Sequence, residues 1–303
     1  MNEGSKARGR VAGQQGSGYP RSVSTTLTEH ATLGAFLRAK REHLQPDPGF
    51  RPSGLRPRRT PGLRREEVAE LAGVSIDWYV RLEQNRAPSP SAAVLDSVSR
   101  ALRLTPAERQ YLFQLAGRDP QLAGDGAHAR LDAVHPSACA VLGTIDPALP
   151  ACILGPRLDV LGANAVYDAL HLGFGGHPRF GRNIVWFICC DPRAEALLED
   201  RASLFAEAIG ALRSGFARHL GHPDFLALID ALRQDCPAFN DHWAQHEVRQ
   251  KAQGRKCFRH PVAGTMRLEW HSLVAREAPD QLLIVYQPRD DESRSALARL
   301  CRT

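Results

Sequence analysis

The sequence predicts two domains of different class, a mainly α N-terminal domain of five helices and an α+β C-terminal domain with an antiparallel sheet. Three observations lead there. Apolar residues recur at helical spacing through five segments between residues 32 and 117. Beyond residue 150 the chain opens with short apolar runs, passes through helical patterns and returns to short strands, the order of an α+β domain. The charge divides with the pattern: residues up to Arg118 hold 19 Lys/Arg against 11 Asp/Glu, a balance of +8, and the remainder holds 20 against 22, or −2. A chain of 303 residues is long enough to bury two cores.

Residues 1–31 are rich in Gly, Ser, Arg and Thr and poor in large apolar groups, so a disordered tail is expected there. The first helix runs from Thr32 or Leu33 to Leu44, with Leu33, Phe36, Leu37 and Leu44 on one stripe and Arg38, Lys40 and Arg41 around it. Pro46, Pro48, Pro52, Pro57 and Pro61 forbid a continuous helix over 45–63. Residues 45–65 carry six Arg against one Asp, a basic loop leading into the next helix.

From Gly62 to Arg86 the residues spell two short helices joined by a glycine turn, a helix-turn-helix of the kind that reads DNA. Val68, Leu71 and Ala72 form an apolar stripe on the first helix, with Glu66, Glu67 and Glu70 on its wet side. Gly73 stops that helix and Ser75 caps the second. On the second helix Tyr79 and Leu82 fall on the same side as Ser75 and can pack inward. Asp77, Val80, Arg81 and Gln84 point outward, flanked by Ile76 and Trp78, so this row is placed to enter a major groove of double-stranded DNA. Arg81 is the candidate for a base contact, to guanine, with Asp77 and Ile76 on neighbouring edges. Gln84, Arg64 and Arg65, together with Arg58 and Arg59, are candidates for phosphate, since a helix N-terminus is itself an anion site. Ser75 and Trp78 complete the candidate DNA-contacting set. Two half-sites about one DNA turn apart would call for a homodimer.

Pro88 and Pro90 make a turn, after which Ser91 caps a helix carrying Val94, Leu95, Val98, Ala101 and Leu102. Thr105-Pro-Ala-Glu108 is a capping box with Pro at the first helical position, leading into Tyr111, Leu112 and Leu115, and Gly117 ends the domain. Residues 118–134 read as a linker and 135–303 as the second domain. Strands are expected at Ala151–Leu154 and Leu158–Leu161 around Gly155-Pro156, then near 256–260, 265–273 and 281–287. Between them lie helical patterns at 165–170, 183–189, 194–219, 223–234 and 237–246, and a last helix spans 293–301.

No run of about 18 apolar residues is present, and the basic N-terminus has no apolar segment behind it, so a cytoplasmic protein without a membrane span is expected. Seven cysteines with no Cys-x-x-Cys pair read as free thiols, with Cys189-Cys190 the one adjacent pair. His242 and His246 lie four apart, with Cys257, His260 and His271 downstream. A metalloprotease needs Glu after the first of two such histidines, and Trp243 stands there. No nucleophile elbow, phosphate loop or paired-carboxylate motif is present, so neither catalysis nor a metal or other cofactor is expected. The residues expected around the sheet are Ile153, Leu154, Val160, Trp186, Phe187, Phe258, Leu268, Trp270, Leu283 and Val285, a set that fits a plain core or the wall of an apolar cavity. The polar candidates to anchor an acidic ligand there are Asn164, Arg182, Asn183 and His260, with Trp186 beside them.

Leu37-Arg-Ala-Lys-Arg-Glu42, the Arg/Pro-rich insertion, Gly73-Val-Ser75 and Tyr79-Val-Arg-Leu-Glu-Gln84 resemble the repressor-like (Xre-type) helix-turn-helix family, and within it the MmyB-like regulators. The resemblance continues through Leu158-Asp-Val-Leu-Gly-Ala-Asn164, Arg182-Asn183, Asp191-Pro192, Ala211-Leu-Arg213, Phe239, His242-Trp243, His246-Glu-Val248, His260-Pro-Val-Ala-Gly264 and Gln281-Leu-Leu-Ile-Val285, covering about residues 33–300. It implies a transcription regulator with a PAS-like ligand-binding domain that holds a fatty-acid-type molecule, and an Arg41–Glu83 pair beneath the recognition helix. The family usually carries Asp-Trp near the start of the long helix, whereas here Asp200 is followed by Arg201, a charge where packing is expected. A second reading of the C-terminal half stays open at this stage, a ligand-free dimerisation or protein-interaction module.

Overall fold

A computed structural model of the chain describes residues 32–45, 62–87, 89–117, 131–175, 180–248 and 252–302. The tail, most of the basic loop with Arg58 and Arg59, and most of the expected linker lie outside these residues. Five helices build the N-terminal domain: α1 (Leu33–His43), α2 (Arg65–Ala72), α3 (Ile76–Glu83), α4 (Ala92–Ala101) and α5 (Pro106–Leu115). Ser75, Ser91 and Thr105 cap as the sequence signals, and Thr32 caps α1 in addition. The Thr32, Ser75, Ser91 and Thr105 side chains each accept a first-turn backbone N–H, and Glu108 closes the box at Thr105. Phe36, Leu37, Val68, Tyr79, Leu82, Leu95, Val98, Tyr111 and Leu112 fill the core.

Two residues of α2 sit opposite to the expected sides. Leu71 is 46% exposed, while Glu67 is buried because its carboxylate accepts the Arg64 backbone N–H at 2.7 Å. A buried carboxylate is tolerable here because it satisfies a donor that the helix start leaves free.

The C-terminal domain begins with α6 (Pro136–Leu142), a helix in the stretch for which the sequence pattern suggested none, capped by His135. Then come β1 (Ala151–Leu154), β2 (Val160–Ala163), α7 (Ala165–Leu170), α8 (Ile184–Cys190), α9 (Pro192–Leu197), α10 (Arg201–Arg218), α11 (Pro223–Asp235) and α12 (Pro237–Ala244), followed by β3 (Gln253–His260), β4 (Gly264–Ala275), β5 (Ala278–Pro288) and α13 (Asp291–Leu300). The single pattern expected over 194–219 is thus two helices, broken at Leu198 to Asp200. Leu198 N–H still bonds back to Ala194, and Asp200 caps α10 by accepting from Ser203 N–H. The strands form one antiparallel PAS-like sheet in the order β2-β1-β5-β4-β3.

Side chains alternate across the sheet, which decides what each face does. Ile153, Leu283 and Val285 face α6 and close a small core with Ala138. Cys152, Leu154, Leu282, Ile284 and Tyr286 face the helices on the other side. Arg201 turns out to be a cap: Nε and Nη2 donate to the Ile188 and Cys189 carbonyls, both at 2.8 Å, at the end of α8. The charge found where packing was expected therefore satisfies carbonyls that a helix terminus leaves free.

The two domains pack through α10 and α5. Ala217 and Val248 of the second domain join the apolar core of the first. Arg213, fully buried, lies with its guanidinium 4.0 Å over the Trp243 ring, donates to the Trp243 carbonyl and to His246 Nδ1, and faces the Tyr111 hydroxyl of α5. Burial lowers its pKa, and the phenol of Tyr111 works against that.

Candidate functional site

The exposed surface of α3 and a cavity on the sheet are the two places where this fold offers chemistry. Gly73 takes the left-handed conformation (φ 67°) that ends α2, and the Ser75 hydroxyl accepts Trp78 N–H at 3.2 Å, so α3 starts at a fixed angle to α2. Tyr79, Leu82 and Glu83 are buried beneath it. Ser75, Ile76, Asp77, Arg81 and Gln84 are exposed, with Trp78 and Val80 half-buried beside them. The second half of the chain packs on α5 and leaves this row open.

Under α3, Glu83 accepts from Arg41 Nε at 2.6 Å and from Arg65 Nε at 2.7 Å, and Arg41 Nη1 donates to the Leu63 carbonyl at 3.0 Å. Burial pulls the Arg41 pKa down, and the hydrogen bond and charge of Glu83 more than reverse it. The Arg41–Glu83 pair implied by the resemblance is present. Arg65 is drawn into it, so this candidate phosphate contact also has a structural duty, its side chain remaining 43% exposed. Arg64 is half-buried at the N-terminus of α2.

The cavity has a volume of about 660 Å³ and is partly open. Its floor is the helix-facing side of the sheet, with Cys152, Leu154, Lys256, Trp270, Ser272, Val274, Leu282, Ile284 and Tyr286. Ile184 and Ile188 of α8 and Leu204, Glu207, Ala208, Ala211, Ser214 and Arg218 of α10 wall it, and Gln110 of α5 reaches it from the first domain. Of the apolar residues expected around the sheet, Leu154 and Trp270 line this space, while Ile153, Leu283 and Val285 belong to the opposite face.

Lys256 is the cation of the floor. Its Nζ donates to Tyr286 Oη at 3.0 Å, and among the described residues it has no carboxylate partner. Burial pushes the Tyr286 phenol up, opposed by the Lys256 charge, and pushes the Cys152 thiol up to about 12, so both stay protonated at neutral pH. The other charged pair on the wall is closed: Arg218 Nε bonds Asp280 at 2.8 Å, with His219 3.3 Å from the same carboxylate. Burial would raise the Asp280 pKa, but the hydrogen bond from His219 and the charge of Arg218 hold it below its ordinary value.

The anchors selected from the sequence are placed elsewhere. Asn164 caps α7 and ties it to β1, with Oδ1 accepting from Ala151 and Tyr167 N–H and Nδ2 donating to the Leu149 carbonyl. Asn183 caps α8 through Val185 and Trp186 N–H and donates to Asp159 and the Arg157 carbonyl. Arg182 pairs with Asp168, and the Trp186 ring packs at a tilt against Phe180, 4.9 Å between centroids. His260 Nδ1 accepts from Val262 and Ala263 N–H, leaving Nε2–H to donate to the Ala169 carbonyl. None of the five lines the cavity among the described residues. The polar atoms of Asn164, Asn183 and His260 are spent mainly on backbone groups that loops and helix ends leave unpaired, and Arg182 is held by the Asp168 carboxylate.

The residues that sequence reasoning missed are Lys256, Tyr286 and Gln110. Alternation along β5 was a usable signal for Tyr286, which shares a face with Leu282 and Ile284. On β3, Lys256 shares a face with Phe258 and His260, both buried, so alternation along this strand was a usable signal for it too. Gln110 left no signal, because only the docking of the two domains brings it to the cavity.

All seven cysteines are free thiols, and Cys236 Sγ lies 3.7 Å from the Cys189 carbonyl at the end of α8. Among the described residues, no three His, Cys, Asp or Glu side chains converge on a metal site, and no helix is long and apolar enough to cross a membrane.

Comparison with known families agrees with both surfaces. A helix-turn-helix domain model matches residues 32–112, and the model described as MmyB-like transcription regulator ligand binding domain matches residues 134–300. No curated protein matches the chain. A helix-turn-helix domain, with the outer face of α3 open, and a ligand-binding domain, with a cavity on its sheet, thus stand in one chain, and the chain belongs to the MmyB-like transcription regulators, DNA-binding proteins with a ligand-binding domain.

Proposed function

We propose that the protein is a homodimeric, sequence-specific regulator in which α3 reads an operator and the cavity senses an amphipathic carboxylic acid, of fatty-acid type. The reading rests on one observation above all: among the described residues an ammonium group, Lys256, stands without a carboxylate partner in the floor of a cavity otherwise walled mainly by apolar side chains. A cavity of about 660 Å³ is of the size that holds a small ligand. A module with a filled core has no such space, since protein interiors are close-packed. An alkyl chain is stabilised by leaving water for the Leu154, Ile184, Ile188, Leu204 and Ile284 side chains. Its carboxylate takes a charge-assisted hydrogen bond from Lys256, with the Tyr286 hydroxyl beside it.

On the DNA side, Arg81 reads guanine, Asp77 and Ile76 meet neighbouring base edges, and Gln84, Ser75, Trp78, Arg64 and Arg65 hold the backbone. The carboxylate site is tested by titrating the full-length protein with palmitic acid. Wild type binds, and Lys256→Met binds at least about tenfold more weakly, as expected for losing one hydrogen bond to a charged group. Failure of wild type to bind palmitate, together with native mass spectra showing no co-purified small molecule, would favour the dimerisation module instead.

A further inference from the structure

The ligand-binding family match begins at residue 134, yet the cavity wall does not respect that boundary. Glu207, Ala211, Ser214 and Arg218 follow one another at helical spacing along one face of α10 and line the cavity. A different face of the same helix carries Arg213, against Tyr111, and Ala217, in the core of the DNA-binding domain. α10 is therefore a partition with the cavity on one side and α5 on the other. At the place where Tyr111 meets Arg213, the residue before Tyr111 passes round the partition: Gln110 is half-buried and lines the cavity. No side chain among the described residues hydrogen-bonds to its amide, so both the NH2 and the carbonyl are available to a ligand.

We propose that Gln110, a residue of the helix-turn-helix domain, is a specificity-determining residue of the ligand cavity, so that the bound molecule touches both domains at once. This rests on the reading of the cavity as a site for an amphipathic acid. A ligand held partly by Gln110 binds more tightly when α5 is docked on α10 than when the domains separate, and so it shifts the chain toward the docked arrangement. The Tyr111–Arg213 contact does not act as a wire for this coupling; the two surfaces that sandwich the ligand belong to different domains. The consequence for regulation is a ligand that sets how α3 is presented relative to the C-terminal half.

The test uses the full-length chain with palmitic acid as probe. Palmitate affinity is measured for wild type, Gln110→Ala and Gln110→Trp, and backbone hydrogen exchange is followed over residues 106–115 with and without palmitate. The expected result is a loss of a few-fold for Gln110→Ala and of at least about tenfold for Gln110→Trp, whose indole occupies part of the cavity, with slower exchange in α5 of wild type on palmitate addition. Gln110→Ala guards against the bulkier variant failing to fold. Wild-type affinity in both variants, with palmitate protecting β3 and β5 but leaving α5 unchanged, overturns the inference while leaving the ligand reading intact. Absence of palmitate binding to wild type, with no protection anywhere in the sheet, removes the ligand reading and the inference with it.

Discussion

The Arg41 guanidinium meets the Glu83 carboxylate at 2.6 Å directly beneath the exposed row of α3, with the Glu83 side chain wholly buried. Arg65 approaches the same carboxylate from α2, so one acidic group ties α1, α2 and α3 together. Glu83→Ala strands the buried Arg41 guanidinium and takes a partner from the part-exposed Arg65, and is expected to cost about 3 to 5 kcal/mol in chemical denaturation. A variant as stable as wild type would show that the pair is incidental to the domain.

The roles proposed for Arg81 and Arg65 separate reading from support. Arg81 is exposed on α3. Arg81→Ala should therefore keep its stability to within about 0.5 kcal/mol and lose about 1 to 3 kcal/mol of discrimination between operator and altered sites in gel-shift series. Arg65→Ala should weaken all sequences alike and lose about 1 kcal/mol of stability, because its Glu83 bond goes with it. If Arg81→Ala keeps wild-type discrimination, the base contact is misassigned.

Gly34 and Gly73 are glycines for different reasons, and substitution tells them apart. A Cβ on Gly34 would run into the backbone carbonyl of Glu83, which no rotamer change relieves. At Gly73 nothing lies near, and the only obstacle is the positive φ of 67°. Gly73→Ala is expected to cost about 1 to 2 kcal/mol, the penalty of the left-handed conformation. Gly34→Ala should cost more, about 3 kcal/mol, at the top of the usual overpacking range because the clash is with backbone, and should also weaken DNA binding by shifting α3 against α1. Equal thermal shifts without any change in DNA affinity would contradict this.

What the residues revealed follows from how local each signal is. Caps at Ser75, Ser91 and Thr105 and the turn at Gly73 depend on neighbours a few residues away, so the helix-turn-helix was legible almost whole. Glu67 and Leu71 escaped because helical periodicity gives a face, and capping or neighbouring elements decide which edge of it is covered. Asn164, Arg182, Asn183 and His260 stand out as polar residues among apolar ones, which serve a ligand or a loop alike: here backbone N–H and C=O groups engage Asn164, Asn183 and His260, the Asp168 carboxylate engages Arg182, and none of them lines the cavity. The cavity floor needed the strand alternation of β3 and β5, and its far wall needed the packing of α5 on α10, a contact that no local pattern encodes.

His171 should make the C-terminal domain acid-labile. Its ring is buried among Tyr167, Phe174, Phe187, Phe258 and Tyr286, and burial first, then the Lys256 charge, lowers its pKa to about 3. The unfolded chain takes up that proton near the ordinary value of 6.5, whereas the folded chain does not until about 3. Between those values the unfolded state binds more protons, so this group's contribution to stability is fully present above about pH 6.5 and falls by about 1.4 kcal/mol for each unit of acidification below it. His260, also lowered by burial, acts in the same direction. His171→Phe keeps an aromatic ring in the cluster and gives up the 3.1 Å bond from Nδ1 to the Tyr167 carbonyl, at about 1 kcal/mol. Denaturation at a series of pH values from 7.5 to 4.5 should then show the variant slightly less stable at the upper end and less steeply dependent on pH, the two curves converging and crossing as pH falls. Parallel curves would mean that His171 is protonated in the native state, and the buried neutral imidazole would have to be abandoned.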